Sequence, residues 1–581
     1  MYGLISFILL KYNYKGGGNM NAKKLYCDAV AQCDKKLKSM IPYQSVHSGG
    51  FLDESLGFCA VTHFETGAFL QAAVLSYCSE ESEFFNDFGI YERIISAVNY
   101  IKTKQRASGL IDLRERNYDS PPDTAFLLAL ICRCSYTAKN AEKTDCGKMI
   151  FEALKPLAVS FADAICRDGG FHTPNHRWII AGALCAATDV FGEINAADEA
   201  AKYFREGLDL NSDGIYSEKS IYYSAKINSK LMDAYFLSGE KYFAESIVKN
   251  CRCILTLMSA DTSLLTSISI RQDNGKHVFP TEFLSSFYFA GKYSGDLSFF
   301  SAIDEICSKN PPDEPGLIYI FRRNPEWLCD NIDTESFKRP ETVFLKDTGI
   351  WAYHKNEADA FLMCGTNCQM CVRFGDVFIK SIKIFAPYYH EAVYTGREMC
   401  KTENGAKMHI RPTYGIEQRV HMPGFWNTLP RKVEFPELPY NNIAERRRSP
   451  RADVEYILEA LKTDDGIDVK VSSNGGIDGA HFALEFEFEL PGAVITGNTF
   501  EEAQTPRNIL LTDGFLTFRK GTYSVNIGPG FFAHKMISDK NDSCKVSMTA
   551  DLPIEKTVHI RFIKLDGSEP EYYYTQEGRH E

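Results

Sequence analysis

Between residues 55 and 310 the apolar positions recur every three to four residues, the spacing that keeps one side of a helix apolar. The pattern predicts helices over 64–76, 90–104, 123–138, 148–167 and 176–191, then over 196–208, 223–237, 242–258, 282–293 and 297–308. Glycines suited to stopping helices follow three of them, at Gly192, Gly239 and Gly295. Every second connection is longer and carries polar and aromatic residues, as at 109–122, 168–174 and 211–220. About ten helices in pairs, joined by alternating short and long connections, describe an incomplete α/α toroid whose long loops gather on one face as a cleft. No fixed-period repeat runs through the region, which argues against an open solenoid.

The texture changes after Pro311, Pro312 and the 322–340 stretch. Alternating and β-branched runs take over at 342–345, 350–354, 360–364, 372–374 and 377–385, and later at 454–461, 467–473, 482–490, 515–518, 523–527 and 558–563. A block of strands after a block of helices indicates separate α and β domains, and an antiparallel β-sandwich is the natural packing of so many strands. The fold class read from the chain is therefore α+β and multidomain. Residues 21–335 form the helical domain and 336–581 the sandwich. Residues 1–20 are set apart as leader. The apolar stretch 4–10 has no preceding cation and no cleavage site, and it is too short to span a bilayer. The codons of Lys15-Gly16-Gly17 can spell a ribosome-binding sequence, so translation is expected to begin at Met20.

At 581 residues, two large domains are the default. A net charge of −12 excludes nucleic acid as a partner, since no basic face is available to replace phosphate counterions. The one dense basic run, Arg446, Arg447, Arg448 and Arg451, reads as a solvated loop. Cysteines such as Cys132, Cys134 and Cys185 sit in apolar helical context, where thiols act as small hydrophobes; a reducing, cytoplasmic location follows. Cys364, Cys368 and Cys371 have the spacing of half a zinc site, but no matching pair is nearby and the segment reads as a strand. No metal, cofactor or membrane is expected.

Two segments carry the candidate chemistry. In Asp168-Gly-Gly-Phe-His172-Thr-Pro-Asn175-His176-Arg177-Trp178 a loop enters an apolar helix. Asn175 is placed to cap it, and the free N–H groups of such a terminus suit a carboxylate. In Asn211-Ser-Asp-Gly-Ile-Tyr216-Ser-Glu218-Lys-Ser220-Ile-Tyr222-Tyr223 a second long loop enters a helix, with Tyr223 near its start. Taken singly, Asn175 reads as a plain cap and Tyr223 as aromatic packing at a junction.

Together the two segments resemble the heparinase II/III-like polysaccharide lyases. There an Asn-His pair opens one helix of an α/α toroid, and a Glu-x-Ser-x-x-Tyr segment about fifty residues on supplies the catalytic tyrosine; Asn175-His176 and Glu218-Lys-Ser220-Ile-Tyr222-Tyr223 stand in those places. The resemblance implies β-elimination on uronic-acid-containing glycans. Asn175 and His176 neutralise the carboxylate, which acidifies the C5 proton. Tyr223 protonates the departing oxygen, or acts as both base and acid; a phenol titrates near about 10, so the base role needs positive charge beside it. The family's β-domain histidine has no counterpart in the segment around Cys364, and His390 is taken as its replacement ahead of His354. Substrate contacts are assigned to His172, Arg177, Trp178, Glu218, Tyr222, Arg114 and Arg116. The expected partners are an acidic oligosaccharide or polysaccharide, cleaved from its end, and a second copy of the chain. Two alternatives remain. One is an unsaturated-uronyl hydrolase on the same kind of toroid, using acids among Asp112, Asp119, Asp123 and Asp168. The other is a non-catalytic glycan-binding protein on a degenerate lyase scaffold.

Overall fold

A computed structural model describes residues 19–42, 44–45, 48–53, 57–113, 117–170, 173–386, 394–412, 454–497, 499–533 and 543–565. They fall into two compact units. The first ends at Arg339 and the second begins at Pro340, except that Ser259–Asp261 belongs to the second.

The described part of the first unit holds twelve α-helices. They are α1 (Ala22–Ser39), α2 (Thr66–Tyr77), α3 (Phe88–Lys104), α4 (Pro121–Lys139), α5 (Gly147–Asp168), α6 (Pro174–Phe191), α7 (Ala197–Phe204), α8 (Ile221–Ser238), α9 (Lys241–Thr256), α10 (Leu284–Ser294), α11 (Ser298–Lys309) and α12 (Pro315–Arg323). The even-numbered helices pack on one another in turn, from α2 through α4, α6, α8 and α10 to α12, and α12 also packs on α2 and α4. The odd-numbered helices lie against them: α1 on α2 and α12, α3 on α2, α5 on α4, α7 on α6, α9 on α8 and α10, and α11 on α10. Composition explains the division. Helix α6 is buried without a break from Trp178 to Ala187, as a helix apolar on all sides must be, whereas α3 buries only the stripe Ile90, Ile94, Ala97, Val98 and Ile101.

The expected toroid is therefore present, with α1 and α12 added to the ten helices read from the pattern. Helix α12 hides in the proline-rich stretch because Pro315 occupies its first turn, where the missing N–H is no loss. Ser120 caps α4 ahead of Pro121, and Gly192, Gly239 and Gly295 each follow the last residue of an inner helix. Gly182 fixes the crossing of α6 and α8, since a Cβ there would lie 2.4 Å from Lys230 Cβ. Three short strand pairs accompany the helices: β1 (Asn19–Asn21) with β6 (Asn331–Asp333), β2 (Phe51–Asp53) with β3 (Phe58–Ala60), and β4 (Ile111–Leu113) with β5 (Asn117–Ser120).

The second unit contains two large sheets. The first has the order β19-β22-β16-β11-β10-β9-β8-β7, from β7 (Thr342–Leu345), β8 (Ile350–Lys355), β9 (Ala358–Met363), β10 (Met370–Phe374), β11 (Val377–Phe385), β16 (His481–Phe488), β19 (Arg507–Leu510) and β22 (Cys544–Asp551). The second has the order β12-β13-β14-β15-β23-β21-β20-β17-β18. Its strands are β12 (Tyr394–Thr402), β13 (Gly405–Pro412), β14 (Val454–Lys462), β15 (Gly466–Gly475), β17 (Gly492–Thr496), β18 (Thr499–Ala503), β20 (Leu516–Lys520), β21 (Tyr523–Gly528) and β23 (Glu555–Lys564). Every pairing is antiparallel except β19 with β22, which is parallel. Trp351, Ile382 and Phe486 of one sheet share a core with Tyr456, Val469, Phe518 and Ile560 of the other, which makes the unit a sandwich. Burial alternates along β14, the signature of a strand with one face inward.

Residues 364–369, expected as strand, are instead the connection between β9 and β10, with Gly365 at φ +74°. The run Gly-Thr-Asn is turn chemistry. Within it the Cys368 thiol donates to the carbonyls of Lys380 and Met370 at 3.2 and 3.4 Å.

Candidate active site

The starts of the inner helices meet at one end of the first unit. Preceding α2, His63 stacks on Phe126 of α4 with ring centroids 4.4 Å apart. Asn175 of α6 bonds Glu218, just ahead of α8. Lys226 of α8 lies 2.7 Å from Glu282, just ahead of α10, and the Ser285 amide of α10 donates to Glu314 at the start of α12 at 2.6 Å. The positive ends of the helix dipoles thus converge, a setting that favours an anionic ligand.

Asn175 is the second residue of α6 and is fully buried; Thr173 holds the cap position expected for it. Its side chain turns across to the next loop instead. The amide nitrogen donates to Glu218 Oε2 at 2.8 Å and to Thr173 Oγ1 at 2.9 Å. The amide oxygen is buried without a hydrogen-bond partner among the described residues. Glu218 is 2% exposed, and its Oε1 lies 3.6 Å from Arg271 Nη1. Burial pushes this carboxyl above the usual range, an effect that the Asn175 bond and Arg271 oppose.

Tyr223 sits in the first turn of α8, its backbone amide bonded to the Ser220 cap at 3.1 Å. The Arg271 guanidinium lies 5.1 Å from its ring centroid, and Gln272 donates to the phenol oxygen at 3.0 Å. Both partners come from the connection after α9, and Asp273 holds that connection in place. Its carboxylate accepts from Ser220 Oγ at 3.0 Å, from the Tyr222 amide at 3.3 Å, and from Ser269 Oγ. Asn274 ties the same turn together by donating to the carbonyls of Ser269 and Ser267 at 2.6 and 3.2 Å. One helix cap therefore orients Tyr223 and anchors the strap that brings Arg271 and Gln272 to it.

The other expected residues divide. His176 is half-buried in the first turn of α6, its amide bonded to the Thr173 carbonyl at 3.0 Å. Tyr222 packs edge-on against Tyr223 at 5.4 Å, and burial raises its phenol. Trp178, expected at the substrate, is instead fully buried. Its Nε1 donates to Asp209 at 2.7 Å and its ring stacks on Phe204, because it begins the unbroken apolar run of α6. Arg177 faces Glu206 at 2.9 Å and stacks on Trp178 at 4.5 Å, so its charge is already paired. His172, Arg114, Arg116 and His390 lie outside the described residues, as does the run at Arg446. In the sandwich, His354 is buried with Nδ1 2.7 Å from Asp359 Oδ1, while Asp359 Oδ2 accepts the Ala260 amide at 2.8 Å. That is a structural pair within its own unit.

The acids proposed for hydrolysis are all engaged. Asp112 pairs with Arg106 and accepts the Asp119 amide, Asp119 accepts from Ser108, and Asp123 accepts from Ser120 and Asn117 at 2.6 and 2.9 Å. Asp168 pairs with Arg167, which holds its carboxyl below the usual range.

Among solved structures, heparinase III superposes with a TM-score of 0.55 at 9% identity, covering 86% of this chain and 76% of that one. Chondroitinase AC lyase gives a TM-score of 0.47 at 10% identity, covering 95% and 85%. No family model and no curated protein matches the sequence. The chain has a heparinase-like polysaccharide lyase fold. In this lyase-like fold the residues beyond the sequence reading are Arg271, Gln272 and Asp273. A signal was present in the run Arg271-Gln-Asp-Asn-Gly-Lys, a polar cluster in a long connection that enters an inner helix.

Proposed function

We propose that this chain is a lyase that cleaves uronic-acid-containing glycans by β-elimination and leaves an unsaturated uronate at the new end. The observation that carries this reading is the convergence of Asn175, Glu218, Arg271, Gln272 and Tyr223 where the inner helices begin. The uronate carboxylate binds between Asn175 and Arg271, and withdrawing its charge acidifies the C5 proton. Tyr223 takes that proton as phenolate. The C5 electron pair forms the C4–C5 double bond, the C4–O bond breaks, and the phenol returns the proton to the departing oxygen. The guanidinium 5.1 Å from the ring and the Gln272 N–H at 3.0 Å stabilise negative charge on the phenol oxygen during this exchange. The structural neighbour at a TM-score of 0.55 is named heparinase III, which agrees with a glycan as substrate. Buried thiols such as Cys132 and Cys134 support a cytoplasmic site of action on short imported oligosaccharides.

The test is an ultraviolet absorbance screen over uronic-acid oligosaccharides. β-Elimination raises absorbance as the conjugated product accumulates; an unsaturated-uronyl hydrolase would lower the absorbance of a substrate that already carries the double bond. A flat trace on every substrate, with binding intact, would favour the glycan-binding alternative.

A further inference from the structure

Beside Asn175 and Tyr223, the same end of the inner helices carries a second group of side chains that the proposed elimination leaves unused. Phe64 is 47% exposed although it is a large apolar side chain. His63 stacks between it and Phe126, with ring centroids 4.0 and 4.4 Å away. Lys226, whose charge acts on His63, lies 5.0 Å from the ring of Tyr222 and 2.7 Å from Glu282. Lys226 and Glu282 keep 30% and 37% of their side-chain surface accessible. Tyr222 packs against Tyr223, so this group borders the site already described.

One of its polar atoms, His63 Nδ1, is buried without a hydrogen-bond partner among the described residues, whereas Glu282 Oε2 is paired with Lys226. Buried polar atoms are paired in the great majority of cases, so such an orphan stacked beside the exposed Phe64 ring marks a place that a ligand completes. The chemistry defines the ligand. Aromatic faces suit the C–H face of a sugar ring. A carboxylate, an ammonium and an imidazole suit its rim of hydroxyls, each of which both donates and accepts.

We propose that His63, Phe64, Phe126, Tyr222, Lys226 and Glu282 form a second carbohydrate subsite that takes an uncharged pyranose ring. It rests on the lyase reading only in placing that ring next to a bound uronate. The charges select a neutral ring. Burial, with the charges of Lys226 and Lys230, pushes His63 down to about 3, so the imidazole is neutral at working pH. Burial opposes the charge on Lys226, yet Glu282 holds that ammonium above its ordinary value. The pair is thus neutral overall, and its carboxylate disfavours a second anion.

Saturation-transfer NMR on the full chain tests this with glucose and N-acetylglucosamine as neutral probes and glucuronate as the anionic one. Phe64→Ala and Glu282→Gln are expected to weaken the neutral sugars roughly three- to tenfold while sparing glucuronate. Asn175→Ala is expected to do the reverse. Phe64 projects from the surface, so its truncation leaves the fold intact, as an unchanged Tm would verify. Neutral sugars that ignore the wild type, or bind Phe64→Ala as well as wild type, overturn the subsite. So does their loss in Asn175→Ala, which would merge the two sites into one. Failure of the lyase reading is separate: glucose still binds while no uronate glycan yields conjugated product.

Discussion

Asn175 and Glu218 are joined by a 2.8 Å hydrogen bond in which the amide nitrogen donates to the buried carboxylate. Thr173 takes the other amide proton, which leaves the orphaned Oδ1 as the atom that Asn175 presents. A carboxylate oxygen meets an amide oxygen favourably only when a proton lies between them. A uronate at Asn175 therefore brings a proton with it, or binds after Glu218 has taken one. In the proposed complex, protonated Glu218 would donate to Oδ1 once the amide has turned, so that Nδ2 would face the substrate.

The first prediction is a pH dependence. Burial raises the Glu218 carboxyl, so the protonated form persists above the usual carboxylate range. Above that raised pKa the protonated fraction falls about tenfold per pH unit, which cancels the gain in Tyr223 phenolate, so kcat/KM for a uronate glycan should level off instead of rising. Glu218→Gln carries a permanent donor and should restore the rise. A slope unchanged in that variant contradicts the coupling.

Arg271 faces both Glu218 and the Tyr223 ring. Its replacement by Ala should lower kcat about a hundredfold, the scale of losing one preorganised charge partner. Lys should restore little, because an ammonium lacks the flat guanidinium that lies against the phenol. Steady-state absorbance assays on both variants decide this, and full rescue by Lys would reduce Arg271 to a simple counter-charge.

Trp178→Phe separates packing from substrate contact. The variant loses the 2.7 Å bond to Asp209 while keeping an aromatic ring beside Phe204. It should cost about 1–3 kcal/mol in denaturant unfolding and leave KM unchanged. A raised KM at unchanged stability would restore Trp178 to the substrate.

Trp178 also shows where sequence reading reaches its limit. An aromatic beside an Asn-His pair suggests a sugar platform, but an inner helix is apolar on all sides, and burial claims any large ring within it. Helix α6 was legible for the same reason, since its unbroken apolar run contrasts with the stripe of α3. Asn175 and Tyr223 were legible because each stands where a polar loop enters such a helix. Arg271 and Gln272 were not. Their connection has no periodicity, and their place depends on Asp273 reaching back to Ser220, fifty-three residues earlier in the chain. Strand β9 was harder still to delimit, because all six of its residues are buried and no alternation marks its ends.

Glu314 gives a stability prediction. Burial raises its carboxyl from 4.5 to about 8, against the opposing bonds from Ser285. At this site the folded state therefore binds more protons than the unfolded state between these values, and the Glu314 contribution to stability falls as pH rises from about 4.5 toward about 8. Glu314→Gln should gain in Tm relative to wild type as pH rises through that window. A variant whose Tm tracks wild type across it would contradict the assignment.

The central claim rests on Tyr223, and the most direct measurement is product absorbance from wild type and Tyr223→Phe on the same uronate oligosaccharide. Wild type should accumulate conjugated product. The phenylalanine variant should bind with similar affinity and turn over about a hundred- to ten-thousandfold more slowly, the range for losing a general acid–base group. Equal rates from the two proteins would contradict the account.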